Sequence, residues 1–324
     1  MPDTRQDDRD PFDRDFASEE FARRRKRVAD AIGDAHALLA GGPPPRGFVP
    51  IRQTNQFFYL AGIDTPQAYL LIDGSKGVSA LYLPPRGKAQ IDEGAPPGLE
   101  DSDFVRELTG VANVYPVSAL SDHLAGAKVV YTPHAPAELR AECRHELELA
   151  VRVVAHDPWD GQPAREDRLI ALLRSRYPAT AIRDLTPILD EMRTVKSPAE
   201  ISVLRRAGAL SAEAVTAAMR VTRPGIIEYQ LGALANYIYA VNGAQGEGYR
   251  PIIAGGKNIW HGHYFRLDAP LSAGDLVLMD VAPECNHYTS DIGRMWPVDG
   301  AYRPWQRELY GYIVEYHKTL LSQI

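Results

Sequence analysis

The chain has 324 residues, 45% of them apolar, a formal net charge of −6 and two cysteines. That length suggests about two domains with sizeable cores. The acidic balance excludes a nucleic-acid footprint, no apolar run approaches a membrane span, and the opening stretch MPDTRQDDRD lacks the apolar core of a leader, so a cytoplasmic protein with reduced thiols at Cys143 and Cys285 is expected.

Residues 1–15 are charged and predict a loose arm. Residues 18–34 predict a helix with Phe21, Val28 and Ile32 on one face, which makes the basic run at 23–27 a solvated helix face balanced by Glu19 and Glu20. Strands are expected at 36–40, 67–73, 78–83 and 127–132, and helices at 137–154 and 166–176. Strands interleaved with helices over this span describe an α/β domain, set at 16–184. Within it, Arg52 is followed by an aromatic run, Phe57, Phe58 and Tyr59, that reads as a core strand, and then by a glycine turn at Gly62.

The second domain, 185–324, opens on a short helix at 184–195. Ser197-Pro198-Ala199-Glu200 then starts a helix to about Arg220 with a capping box and a proline in its first turn; Gly208 falls inside it. Another helix, 228–241, ends at Asn242-Gly243. Strands follow at 249–254 and around Trp260-His261-Gly262-His263-Tyr264, where His261 reads as a partly exposed polar residue. The last helix runs from Pro304 to the final residue with its apolar stripe still continuing.

Between them lies the stretch with the most chemistry, DLVLMDVAPECNHYTSDIGRMWPV at 275–298. An apolar strand ends on Asp280, and a second strand-like run carries Asp291. A reversal around Cys285-Asn286 sets the two aspartates opposite each other on antiparallel strands, their β-carbons about 5 Å apart. Like charges so placed call for a cation or a shared proton, and a divalent metal is the simplest answer. The other reading is an aspartate that caps a turn or pairs with Arg294.

Several ordered motifs, taken together, resemble the aminopeptidase P, prolidase and creatinase family, whose catalytic domain has the pita-bread fold. They are the Arg52–Gly62 run with Phe57, Tyr59 and Leu60; MRTVKSPAEI at 192–201; Tyr249, Gly256, Asn258, His263 and Tyr264; and the strands that carry Asp280 and Asp291. The resemblance implies an α/β fold class: a creatinase/prolidase-type N-terminal domain, then the first half of an α+β pita-bread domain. It implies two divalent metals, manganese foremost with cobalt or zinc as alternatives, with Asp280 chelating one and Asp291 bridging both. His263 would assist at the scissile bond, and Tyr249 would line the pocket. The implied activity is that of an Xaa-Pro aminopeptidase, in which a water activated by the metals attacks the carbonyl before a proline; the full-length form would be a homo-oligomer. Three of the family's five ligands have no counterpart up to Ile324, so an N-terminal fragment, inactive alone, is expected. The alternatives are a non-catalytic peptide-binding module and a creatinase-type amidinohydrolase that uses no metal. The chain departs from the family at Val281-Ala282-Pro283 and at Ile292-Gly293, where a threonine is usual at the second position.

Overall fold

The computed structural model describes residues 15–45, 47 and 49–324, so all of the expected arm except Asp15 lies outside the described residues. Contacts divide the chain into two compact units, one ending at Ser197 and the other Pro198–Ile324. No helix among the described residues is long and apolar enough to cross a membrane.

The first unit is built on a six-stranded sheet, β1 His36–Ala40, β2 Tyr69–Asp73, β3 Val78–Leu83, β4 Asn113–Pro116, β5 Val129–Thr132 and β6 Ala181–Asp184, in the order β4-β3-β2-β1-β5-β6. Every pairing is parallel except those of β2, which runs against β1 and β3. Alternate residues of β1 enter different cores, Ala37 and Leu39 one and Leu38 the other, so both faces of the sheet are covered. The helices are α1 Ser18–Ile32, α2 Asn55–Ala61, α3 Lys88–Asp92, α4 Ser102–Thr109, α5 Leu120–Leu124, α6 Arg144–His156, α7 Arg165–Arg176 and α8 Thr186–Thr194. Sequence patterning had placed α8 at the head of the second domain, with a boundary near residue 185. In the structure its Leu189 and Met192 are buried in the first unit's core, and the division falls between Ser197 and Pro198.

Two expectations fail here, and the failures are linked. The run at 55–61 is a helix, not a strand: Phe57, Phe58, Tyr59, Leu60 and Ala61 are all buried, and Gly62 closes the helix in the left-handed region at φ 71°. A short continuous apolar run carries no periodicity that separates the two forms. The carbonyl groups at the end of that short helix need donors. They get them from the basic run of α1, whose Arg24 and Arg25 are buried rather than solvated. Arg24 donates to Tyr59 O at 3.0 Å and stacks on the Tyr59 ring. Arg25 donates to Leu60 O at 2.9 Å and Thr109 O at 2.8 Å, and burial pulls its pKa down to about 10. Replacing Arg25 with methionine leaves two carbonyls unpaired and costs about 3 kcal/mol of folding stability, whereas Arg27→Met, on an exposed residue of the same helix, changes it by less than about 0.5 kcal/mol. Equal denaturant midpoints for the two variants would contradict this. The helix expected from 137 starts only at Arg144, because Ala141 sits at φ 60° and interrupts it.

Asp73 ends β2 and organises the turn into β3. Burial alone would raise its pKa, but bonds from Ser75 Oγ, Lys76 Nζ and Lys76 N–H, with His36 nearby, outweigh it and hold the carboxyl at about 2. The folded value lies below the unfolded one, so this stabilisation is present above pH 4 and disappears as pH falls from about 4 to about 2. It is worth about 2 kcal/mol, since the side chain is mostly shielded from water. Asp73→Asn should flatten that part of the stability–pH curve; an unchanged slope between pH 4 and 2 would refute the assignment.

The second unit sets two helices, α9 Pro198–Val221 and α10 Glu228–Val241, against a three-stranded antiparallel sheet of β7 Ile252–Gly255, β8 Leu276–Val281 and β11 Ile292–Pro297, in the order β11-β8-β7. Between β8 and β11 the chain makes a two-stranded extension, β9 Glu284–Cys285 and β10 Tyr288–Thr289. In central β8, Val277, Met279 and Val281 are fully buried while Leu278 and Asp280 are only half-buried. Trp296, paired with Val277, bonds Thr222 just beyond α9, which identifies that face as the helix-covered one. The opposite face carries Asp280. The chain closes with α11 Pro304–Leu321, on which Leu309, Tyr312, Ile313 and Tyr316 are exposed.

Candidate metal centre

The hairpin register brings the two aspartates together, but not in the expected way. The turn is Asn286-His287, with both residues at positive φ (45° and 68°), and Cys285 pairs with Tyr288 across it. This is a two-residue turn of the kind that matches strand twist, and asparagine accepts its left-handed backbone. It lies one residue later than the reversal expected at Cys285-Asn286, which moves every cross-strand partner by two. Asp280 therefore faces Gly293, not Asp291. A shift of two keeps the face, because side chains alternate with period two. Asp291, just before β11, becomes a diagonal neighbour, a relation that spans roughly 7–8 Å between backbone positions.

Tyr249 closes that gap. Its hydroxyl donates to Asp280 Oδ1 at 2.5 Å and stands 3.2 Å from Asp291 Oδ1. Residues 245–248 carry the tyrosine there by running beside the hairpin, with Gly248 N–H bonded to Ala282 O and Glu284 N–H to Gly246 O, both at 2.8 Å. The approach is close: a Cβ on Gly248 would lie 2.1 Å from Thr289 Oγ1. Burial raises the Asp280 pKa, the Tyr249 hydroxyl and His263 pull it back, and repulsion from Asp291 pushes it further up. Burial and the two carboxylates likewise drive the Tyr249 phenol well above its ordinary value. Arg294 relieves none of this; it is exposed and donates to Gly293 O at 2.7 Å. The pairing with a guanidinium considered from sequence is not formed.

His263 is exposed, on a turn rather than the expected strand, since residues 256–260 form a 3₁₀ segment that ends at Trp260. His261 is exposed too and stacks against Tyr264. What holds this loop is Glu228, which sequence reading passed over. It is 0% exposed, and its carboxylate accepts from Gly255 N–H at 2.8 Å, Asn258 Nδ2 at 3.0 Å and Ala269 N–H at 3.1 Å. Asn258 also donates to Tyr264 Oη at 3.0 Å. The one sequence signal for Glu228 was indirect: a motif asparagine and tyrosine that, once buried, need a partner.

Two carboxylates with hard oxygen donors suit a divalent cation, and a cation between them would favour both charged forms. Among the described residues no group of three or more His, Cys, Asp or Glu is placed to hold a metal. Catalytic sites usually use three protein ligands, so the fit is to part of a ligand set.

Residues 202–324 match metallopeptidase family M24, and residues 21–131 match the aminopeptidase P N-terminal domain. The Xaa-Pro aminopeptidase of Escherichia coli (strain K12) is 32% identical over 320 residues, which is 95% of this chain and 68% of that protein. The chain belongs to metallopeptidase family M24, in its aminopeptidase P branch. The mitochondrial intermediate cleaving peptidase 55 of Arabidopsis thaliana is 26% identical over 94% of this M24 chain and 58% of its own length. Among solved structures, E. coli aminopeptidase P with the inhibitor Pro-Leu superposes with a TM-score of 0.76 at 30% identity, covering 94% of the M24 chain and 67% of that one. The fold is therefore the expected one, an aminopeptidase P N-terminal domain followed by pita-bread architecture. The M24 chain spans about two thirds or less of the curated relatives it matches.

Proposed function

We propose that this chain supplies two of the carboxylates of the metal site of an Xaa-Pro aminopeptidase, which hydrolyses the peptide bond before a proline. The observation that supports it is the convergence of Asp280 and Asp291 on one phenol hydroxyl, on the sheet face opposite α9. Manganese is the metal this reading favours, with cobalt and zinc as alternatives, because carboxylate oxygens accept all three. Bound divalent cations would supply a water acidic enough to attack near neutral pH. Asp280 and Asp291 would hold the positive charge, and Tyr249, touching both, would fix their orientation. His263 would donate to the carbonyl oxygen as negative charge builds there. A reducing, cytoplasmic setting suits Cys143 and Cys285, which form no disulfide.

Titration of the chain with Mn²⁺, followed by the electron paramagnetic resonance of the free ion, tests the ligands. Weak binding is expected, reduced at least about tenfold in Asp280→Asn and in Asp291→Asn. Equal Mn²⁺ affinity in both variants would sink the assignment. The substrate is tested separately, by comparing Xaa-Pro with Xaa-Ala peptides on the chain joined to the remaining residues of an M24 relative; equal turnover of the two would remove the proline requirement.

A further inference from the structure

In the first unit's sheet, β1 lies between β2, the strand the chain enters next, and β5, to which it returns after β4. β1 and β5 are parallel, and the connections leave their carboxyl ends toward opposite sides of the sheet. Such a switch point opens a crevice outside the strand ends. A cleft of about 290 Å³ lies there, bounded by Ala40 at the end of β1, Thr132 at the end of β5 and the first two turns of α7.

The lining is chemically mixed. Arg165 and Arg168 bring two guanidinium groups from α7, neither in ion-pair contact with a carboxylate among the described residues. Glu166 stands between them in sequence, and among the described residues its carboxylate accepts a long bond of 3.3 Å from Ala137 N–H besides its own backbone N–H. Burial raises its pKa against the opposing pull of its backbone bonds and of nearby Arg165, so a further cation beside it would favour the charged form. Leu169 and Leu172 add an apolar wall. Thr132 is 1% exposed, and its Oγ1 has no hydrogen-bond partner among the described residues. A buried hydroxyl without a partner carries a cost that a ligand's polar atom would remove.

We propose that this cleft binds a free α-amino acid with an apolar side chain. Its carboxylate lies toward Arg165, Arg168 and the Thr132 hydroxyl, its ammonium against Glu166, and its side chain on Leu169 and Leu172. The two guanidinium groups can share the ligand carboxylate while Glu166 takes its ammonium; a phosphate dianion would face repulsion from Glu166. The proposal does not rest on the peptidase reading.

Isothermal titration of the full chain with L-leucine tests it, alongside 4-methylpentanoate (no ammonium), 3-methylbutylamine (no carboxylate) and inorganic phosphate. Leucine is expected to bind, each analogue lacking one charge at least about tenfold more weakly, and Thr132→Val and Arg168→Gln to weaken leucine by about five- to tenfold. Thr132→Val should melt no lower than the parent, because the hydroxyl it removes has no partner to lose. Absence of leucine binding, tighter binding of phosphate or of a singly charged analogue, or leucine affinity unchanged in both variants would overturn the proposal. So would a Thr132→Val protein that melts lower but binds leucine normally, since the hydroxyl would then be structural.

Discussion

Glu228→Ala lowers the stability of the second unit by about 3–4 kcal/mol, because it strips three donors, the buried Asn258 amide among them, of their one buried acceptor. The carboxylate is 0% exposed and ties the end of β7, the Asn258 amide and the Ala269 backbone to the first turn of α10. The loop so tied includes His263, so amide exchange over residues 255–269 should quicken together with the loss of stability. Glu228→Gln keeps the volume but puts an NH₂ group where one oxygen accepts, and should fall between parent and alanine. Glu213, exposed on α9, is the control: its alanine variant should shift stability by less than about 0.5 kcal/mol. Denaturant midpoints for the three variants decide the matter; a Glu228→Ala protein as stable as Glu213→Ala would show that the buried carboxylate is not the anchor of this loop.

Gly248→Ala should cost about 2–3 kcal/mol, the upper part of the range for forcing an extra methyl group into a filled space. The added Cβ would lie 2.1 Å from Thr289 Oγ1, 2.8 Å from Thr289 Cβ and 3.1 Å from Pro283 O. Rotating the threonine removes only the first of these contacts, so the backbone of 246–249 or of the hairpin has to shift. Tyr249 is the next residue, and its hydroxyl would leave one or both aspartates. Two readouts therefore move together, thermal stability and the pKa of Asp280 followed by carbon NMR. The second substitution Thr289→Gly takes away both threonine contacts and should restore most of each. If Gly248→Ala alone leaves the Asp280 titration where it was, the tyrosine is positioned by something other than this close approach.

Much of the aspartate site could be read from the chain, and the part that could not has a definite cause. That Asp280 and Asp291 share a face survives an error of one residue in the turn, because moving the turn by one moves the register by two, and two is the period of the strand. Which residue faces Asp280 does not survive it. The turn residues were the weak point: Asn286 is a good left-handed residue, but His287 at φ 68° stands where glycine is the usual choice. The hairpin closes there because the pairing on either side of it compensates.

Arg25 and Glu228 show the same limit at larger range. Local pattern marks Arg25 as one of five basic residues at 23–27 and Glu228 as an ordinary acidic residue opening a helix. Their burial follows from groups far along the chain, Leu60 O and Thr109 O for one, the Asn258 amide and the Ala269 N–H for the other. The long helices, most strands of both units and the common face of two carboxylates are written in local periodicity, so they are legible before the chain folds. Which charged side chains go inside is not, since a buried charge is tolerated where donors or acceptors converge on it, and that convergence exists only after the chain has folded.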